Sequence, residues 1–147
     1  MGKTGCPLDA YGEMDKCKVA FDEDDLAGHV CYGGLDLSST TDITAFVLVF
    51  PPTEDDEHYY VLPYFWLPEE TLPLRVRRDH VPYDIWERQG YLKTTEGNVV
   101  HYGFIENFID ELGQKFHIKE IAFDRWGAVQ MSQNLEGLGF DSVVTIW

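Results

Sequence analysis

The order of elements along this chain predicts an α/β domain on one mixed sheet, with three antiparallel strands followed by parallel strands reached through helical crossovers. Residues 29–67 hold three apolar, β-branched and aromatic runs separated by short polar turns, and consecutive strands with short connections pair antiparallel. Residues 101–137 hold two segments with apolar residues at helical spacing, each followed by a short apolar run. That alternation yields parallel strands with helices packed on the sheet. The 147 residues suit one domain, long enough to bury roughly 70% of the unfolded surface.

Residues 1–28 mix Gly, Asp and Lys without periodicity and close on Phe21-Asp22-Glu23-Asp24-Asp25-Leu26, an acidic run that reads as a solvated turn. They are an expected N-terminal arm or linker, and the domain is expected over 29–147. Val30-Cys31-Tyr32-Gly33-Gly34-Leu35-Asp36-Leu37 predicts the first strand, Ser38-Ser39-Thr40-Thr41-Asp42 a turn, and 43–50 the second strand. Pro51-Pro52-Thr53-Glu54-Asp55-Asp56-Glu57 interrupts the chain before a third strand over 58–67. Pro63 has no N–H to donate, so that strand should be an edge or carry a bulge. From 68 to 99 the pattern is irregular, apart from a short helix over 83–89 that Gly90 stops. A helix near 101–115 places Phe104, Ile105, Phe108, Ile109 and Leu112 on one face, and a strand follows over 118–123. A helix near 127–137, with Met131, Leu135 and Leu138, passes through Gly139 to a strand over 142–146.

The chain carries 44% hydrophobic and 14% aromatic residues with 7 Pro and 13 Gly, which excludes disordered and collagen-like classes. Its 11 Lys and Arg stand against 26 Asp and Glu, a net charge of -15 that repels a polyanion unless metal ions or local basic patches intervene. No apolar run approaches the roughly 18 residues of a membrane span, and the first residues lack the apolar core of a signal peptide, so a cytosolic protein is expected. Cys6, Cys17 and Cys31 lack the close C-x-x-C pairing of zinc sites and read as reduced, structurally ordinary residues. His29, His58, His80, His101 and His117 form no ligand pattern.

Two strand-end carboxylates stand out. Asp36 ends the first strand and Asp124 ends Ile121-Ala122-Phe123-Asp124. If those strands are neighbours, two hard oxygen donors lie a few Å apart, a set that suits Mg²⁺ or Mn²⁺ and phosphodiester cleavage by paired ions. Strand-end aspartates also cap turns and helices, and spacing does not choose between the two. Basic charge is uneven: within 71–100, Arg75, Arg77, Arg78, Arg88 and Lys93 face the four acids Asp79, Asp84, Glu87 and Glu96, a net of +1. Interleaved with Tyr83, Trp86 and Tyr91, this is the candidate phosphate-contacting stretch, or else a solvated loop. The hydroxyls at 38–41 have no His or Lys base placed beside them and read as a turn, and Gly2-Lys3-Thr4 lacks the glycine-rich lead-in of a phosphate loop.

Gly33-Gly34-Leu35-Asp36-Leu37-Ser38-Ser39-Thr40-Thr41-Asp42-Ile43-Thr44-Ala45 strongly resembles the start of the nuclease domain of tailed-phage terminase large subunits. Further blocks keep the match in family order: Phe65-Trp66-Leu67-Pro68-Glu69-Glu70, Val81-Pro82-Tyr83-Asp84-Ile85-Trp86 with Gln89-Gly90, Thr95-Glu96-Gly97-Asn98-Val99-Val100, and Ile121-Ala122-Phe123-Asp124-Arg125-Trp126-Gly127-Ala128. The resemblance covers residues 22–147. It implies a ribonuclease H-like fold and a divalent-metal endonuclease that cuts concatemeric double-stranded viral DNA during packaging in the bacterial host cytoplasm, with two Mg²⁺ or Mn²⁺ ions. Terminase small subunit and portal are the implied protein partners. Asp36 and Asp124 match the family's first and second acidic ligands.

The resemblance also sets expectations where the chain departs from the family. The third acidic ligand is expected beyond Trp147, so the domain would be incomplete at its C-terminus, and the ATPase motor that precedes the nuclease is not among these residues. A domain fragment or truncated prophage product fits both. His101 stands where the family pattern commonly has an Asp. Two alternatives stay open: a catalytically incomplete remnant or interaction domain of the same fold, and, from Gly34 to Thr41, an actin-like or sugar-kinase-like phosphate loop, which needs a second domain that 147 residues do not supply.

Overall fold

Three strands run antiparallel in chain order: β1 (Val30–Asp36), β2 (Thr44–Phe50) and β3 (Tyr60–Pro68). Two helices, α1 (Leu72–Asp79) and α2 (Tyr83–Arg88), lead to β4 (Leu92–Thr95). Then follow α3 (Tyr102–Lys115), β5 (His117–Asp124), α4 (Ala128–Gly137) and β6 (Ser142–Thr145). The computed structural model describes residues 21–37, 43–88, 90, 92–97, 101–124 and 128–145. The turn expected at 38–42, Cys6, Cys17 and Gly2-Lys3-Thr4 lie outside the described residues, as do Tyr91 and the last residue of the strand expected to 146.

The sheet has six strands in the order β4-β3-β2-β1-β5-β6. β1, β2 and β3 pair antiparallel, while β4 on β3, β5 on β1 and β6 on β5 pair parallel. The α/β fold class and mixed sheet stand as expected. The stretch read as irregular also holds a 3₁₀ turn (Glu69–Thr71), α1 and β4. β4 has four residues, too few to display a period of two, and only Leu92 and Thr95 of it are buried. α1 carries three arginines and a proline in its first turn, which leaves Leu72 and Val76 as its inward stripe.

Pro63 lies in register with Val47, on the half of β3 that β4 does not reach, because β4 pairs only with Phe65–Pro68. The outer edge there needs no N–H donor, so the expected edge character is local. The acidic run at 22–25 forms a 3₁₀ turn, Glu23–Leu26, with Asp22 accepting from the Asp24 amide, while Leu26 enters the core. Lys115 at the end of α3 pairs with Glu23 and Asp24 and holds this turn against the domain.

One face of the sheet is dry. Leu35, Phe46, Leu48, Leu62, Tyr64, Trp66, Ile121 and Phe123 pack against Ile105, Ile109 and Leu112 of α3 and Met131 and Leu135 of α4. Each such side chain contributes about 1.5–3 kcal/mol by leaving water. Gly33 belongs to this face: a Cβ there would lie 2.8 Å from the Phe46 ring, so β1 approaches the core only as glycine. A smaller cluster, Leu67, Leu72, Tyr83 and Leu92 with Ile43, Phe65, Val76 and Val81, packs α1 and α2 on the opposite face at the β3–β4 end.

Candidate metal centre and nucleic-acid face

β1 and β5 run parallel, with Leu35 in register with Phe123. The next residue of each strand is Asp36 and Asp124, so the two acids end adjacent strands side by side, with backbones about 4.8 Å apart. Spacing in the sequence does not bring them together, and the register does. Alternation along β1 sends Leu35 into the core and Asp36 to the other face, where its side chain is exposed. Among the described residues no three His, Cys, Asp or Glu side chains converge as a metal site. Asp36 and Asp124 are of the hard-oxygen donor type that Mg²⁺ and Mn²⁺ prefer.

Asp36 sits opposite Ala45, Ala45 opposite Phe65, and Phe65 opposite Leu92. Directly opposed residues share a face, so this row crosses the sheet on the Asp36 side. Phe65 and Leu92 pack under α1 and α2, which puts that helical pair on the same face as Asp36, roughly 14 Å away over three strand spacings. Ala45 lies between them, and beside Asp36 on the same face an added Cβ at Gly34 would meet nothing within 4 Å.

The five candidate cations do not form one group. Arg77 is exposed and its Nε donates to the Pro73 carbonyl at 3.3 Å. Arg78 and Arg88 are also exposed, but Arg78 pairs with Asp79 at 2.7 Å and Arg88 with Asp84 at 3.2 Å. Arg75 is largely covered, 3.4 Å from Asp79, and acts within the α1 packing. The Arg78 guanidinium beside Asp79 holds its carboxyl below the usual range. Lys93 points to the other face of β4, with its ammonium 5.0 Å from the Phe108 ring, so the structure does not bring it to the arginines. Tyr83, expected beside phosphates, is buried with its hydroxyl donating to Asp79, whereas Trp86 is 40% exposed. Leu74 and Ile85 add exposed apolar surface to this rim, which helical periodicity alone does not flag.

His101 precedes α3 as its N-cap, makes no side-chain capping bond, and packs edge-on to Phe104. Phe104 itself is 54% exposed and stands outside the buried stripe in which periodicity places it. Ile105, Ile109 and Leu112 line the centre of the stripe, and Phe104 falls on its margin.

The family model for the terminase large subunit, endonuclease domain, matches residues 10–145. The large terminase subunit of Enterobacteria phage HK97 is 42% identical over 108 residues, which covers 74% of this chain and 21% of that protein. The crystal structure of the HK97 bacteriophage large terminase superposes with a TM-score of 0.67 and 36% identity, covering 82% of this chain and 26% of that one. The chain thus spans about a quarter or less of the relatives it matches. No helix among the described residues is long and apolar enough to cross a membrane. By matched length, identity and shared fold, this chain belongs to the terminase large-subunit endonuclease-domain family.

Proposed function

We propose that this chain carries the divalent-metal centre with which a phage terminase cuts concatemeric double-stranded DNA during genome packaging in the host cytoplasm. The observation that supports it is the β1–β5 register, which puts Asp36 and Asp124 side by side at one sheet edge. Asp36 and Asp124 would hold Mg²⁺ or Mn²⁺, and the bound ions supply an activated water and charge neutralisation at the leaving oxygen. Asp36 is exposed on the open face of the sheet, where an ion it holds would meet a nucleic-acid phosphate. Arg77, Arg78 and Arg88 grip phosphates upstream or downstream of the cut, and Trp86 packs on sugar or base. Arg75 supports this rim from beneath, and Lys93 contributes only long-range attraction. Terminase small subunit and portal are the partners that bring DNA to a chain of net charge -15.

Mn²⁺ titration into the protein by calorimetry, beside plasmid nicking, tests this reading. Asp36→Asn and Asp124→Asn should each weaken Mn²⁺ binding at least about tenfold, because each removes one hard charged ligand. Unchanged affinity in either variant would sink the assignment. The net charge favours a second reading, in which the same fold binds partners and cuts nothing. Mn²⁺ bound through both aspartates without nicking of plasmid would select it.

A further inference from the structure

We propose that the groove between α3 and the β3–β4 end is a docking site for a basic protein segment with an apolar anchor, on the face of the sheet opposite Asp36. The groove is a cavity of about 680 Å³. Its wall is aromatic: Phe108 lies edge-on to Trp66 at 5.3 Å, and Phe104, one helical turn earlier, stands 54% exposed beside it. Its rim is acidic, with exposed Glu69, Glu96 and Glu111. None of these three forms an ion pair with a described residue. Lys93, the one cation among the described residues that line the groove, lies 5.0 Å from the Phe108 ring and shows that the wall accepts a cation over its π face.

Charge decides the occupant. Three carboxylates against one ammonium repel a phosphate backbone, and a second copy of a chain at -15 is repelled as well. A segment presenting Leu or Phe flanked by Arg or Lys fits: the apolar side chain covers Phe104, and the cations pair with the rim. The groove opens away from the Asp36 face, so a partner held there leaves the proposed DNA path clear. The inference does not depend on metal or on cleavage, and its test uses neither.

Fluorescence anisotropy with a short labelled peptide of alternating arginine and leucine, in metal-free buffer without DNA, is the experiment. Any basic peptide is drawn to so acidic a protein, so the control must keep net charge equal. Neutralising the rim with Glu69→Gln, Glu96→Gln and Glu111→Gln should weaken binding about tenfold, whereas Glu54→Gln, Asp55→Asn and Glu57→Gln in the exposed β2–β3 loop should change it less than about twofold. Phe104→Ala, at a position too exposed to hold the fold, should weaken binding about tenfold too. Equal losses from the two charge-neutralised variants, or none from Phe104→Ala, would overturn the proposal. So would self-association of the protein that Phe104→Ala abolishes.

Discussion

The two faces of the sheet are built from alternate residues of the same strands, yet they do opposite work. On the α3–α4 side Phe46 and Leu48 are fully buried, while on the other side Val49 is 36% and Tyr32 40% exposed. Among the described residues, the β3–β4 end of that second face is the part that is roofed, by α1 and α2. Most buried side chains therefore lie in one layer, while the other carries an exposed carboxylate and small residues. On that second face Ala45 stands between Asp36 and Phe65, and Gly34 lies two residues before Asp36 on β1.

The sharpest way to break this comparison is to truncate neighbours on β2. Phe46→Ala empties a fully buried ring site and should cost about 3–5 kcal/mol in urea or thermal unfolding. Val47→Ala, one residue along and on the open face, should cost under about 1 kcal/mol. Equal costs would show that the second face is covered in solution.

Adjacent glycines give the next largest effect. Gly33→Ala drives a methyl to 2.8 Å from Phe46 and 3.4 Å from Ile121, and because Phe46 is fully enclosed its ring has nowhere to turn. Overpacking there should cost about 1–3 kcal/mol. Gly34→Ala meets open space and should be neutral or stabilise by up to about 1 kcal/mol, through the unfolded chain's lost freedom. A double variant, Gly33→Ala with Phe46→Leu, should recover part of the loss, since the two residues share one contact. Denaturant midpoints that leave Gly33→Ala as stable as Gly34→Ala would remove the steric argument.

The same alternation explains what the sequence could and could not disclose. Long periodic segments such as α3 and strands such as β2 are legible because burial repeats along them, whereas β4 is too short to repeat and α1 hides two apolar residues among arginines. Asp36 and Asp124 are recognisable as strand ends, but their adjacency depends on β5 returning beside β1 after two parallel crossovers, a register no local pattern encodes. Resemblance to a known family supplied that pairing at the sequence level. Proximity along the chain misled at Lys93: one step past Leu92, it emerges on the opposite side of the sheet from the arginines.

The two ends of the sheet offer the smallest test. At the end remote from Asp36, Asp56 accepts hydrogen bonds from the Tyr60 hydroxyl and from the His58 backbone and ring. These, the Tyr60 hydroxyl foremost, pull its carboxyl from 3.8 down to about 2. A carboxyl that is more acidic folded than unfolded adds stability above its unfolded value, and that stability disappears as pH falls through the folded one. Tyr60 also packs edge-on to Phe21 at 4.8 Å, so the charge network braces the segment that enters β1. Thermal melts should therefore show wild-type stability falling between pH about 4 and about 2 more steeply than that of Asp56→Asn, with the variant the less stable at neutral pH. The site is at the surface, so the difference should be small beside that of Phe46→Ala. Superimposable curves would mean that solvent screens the network entirely and that Phe21 is held by packing alone.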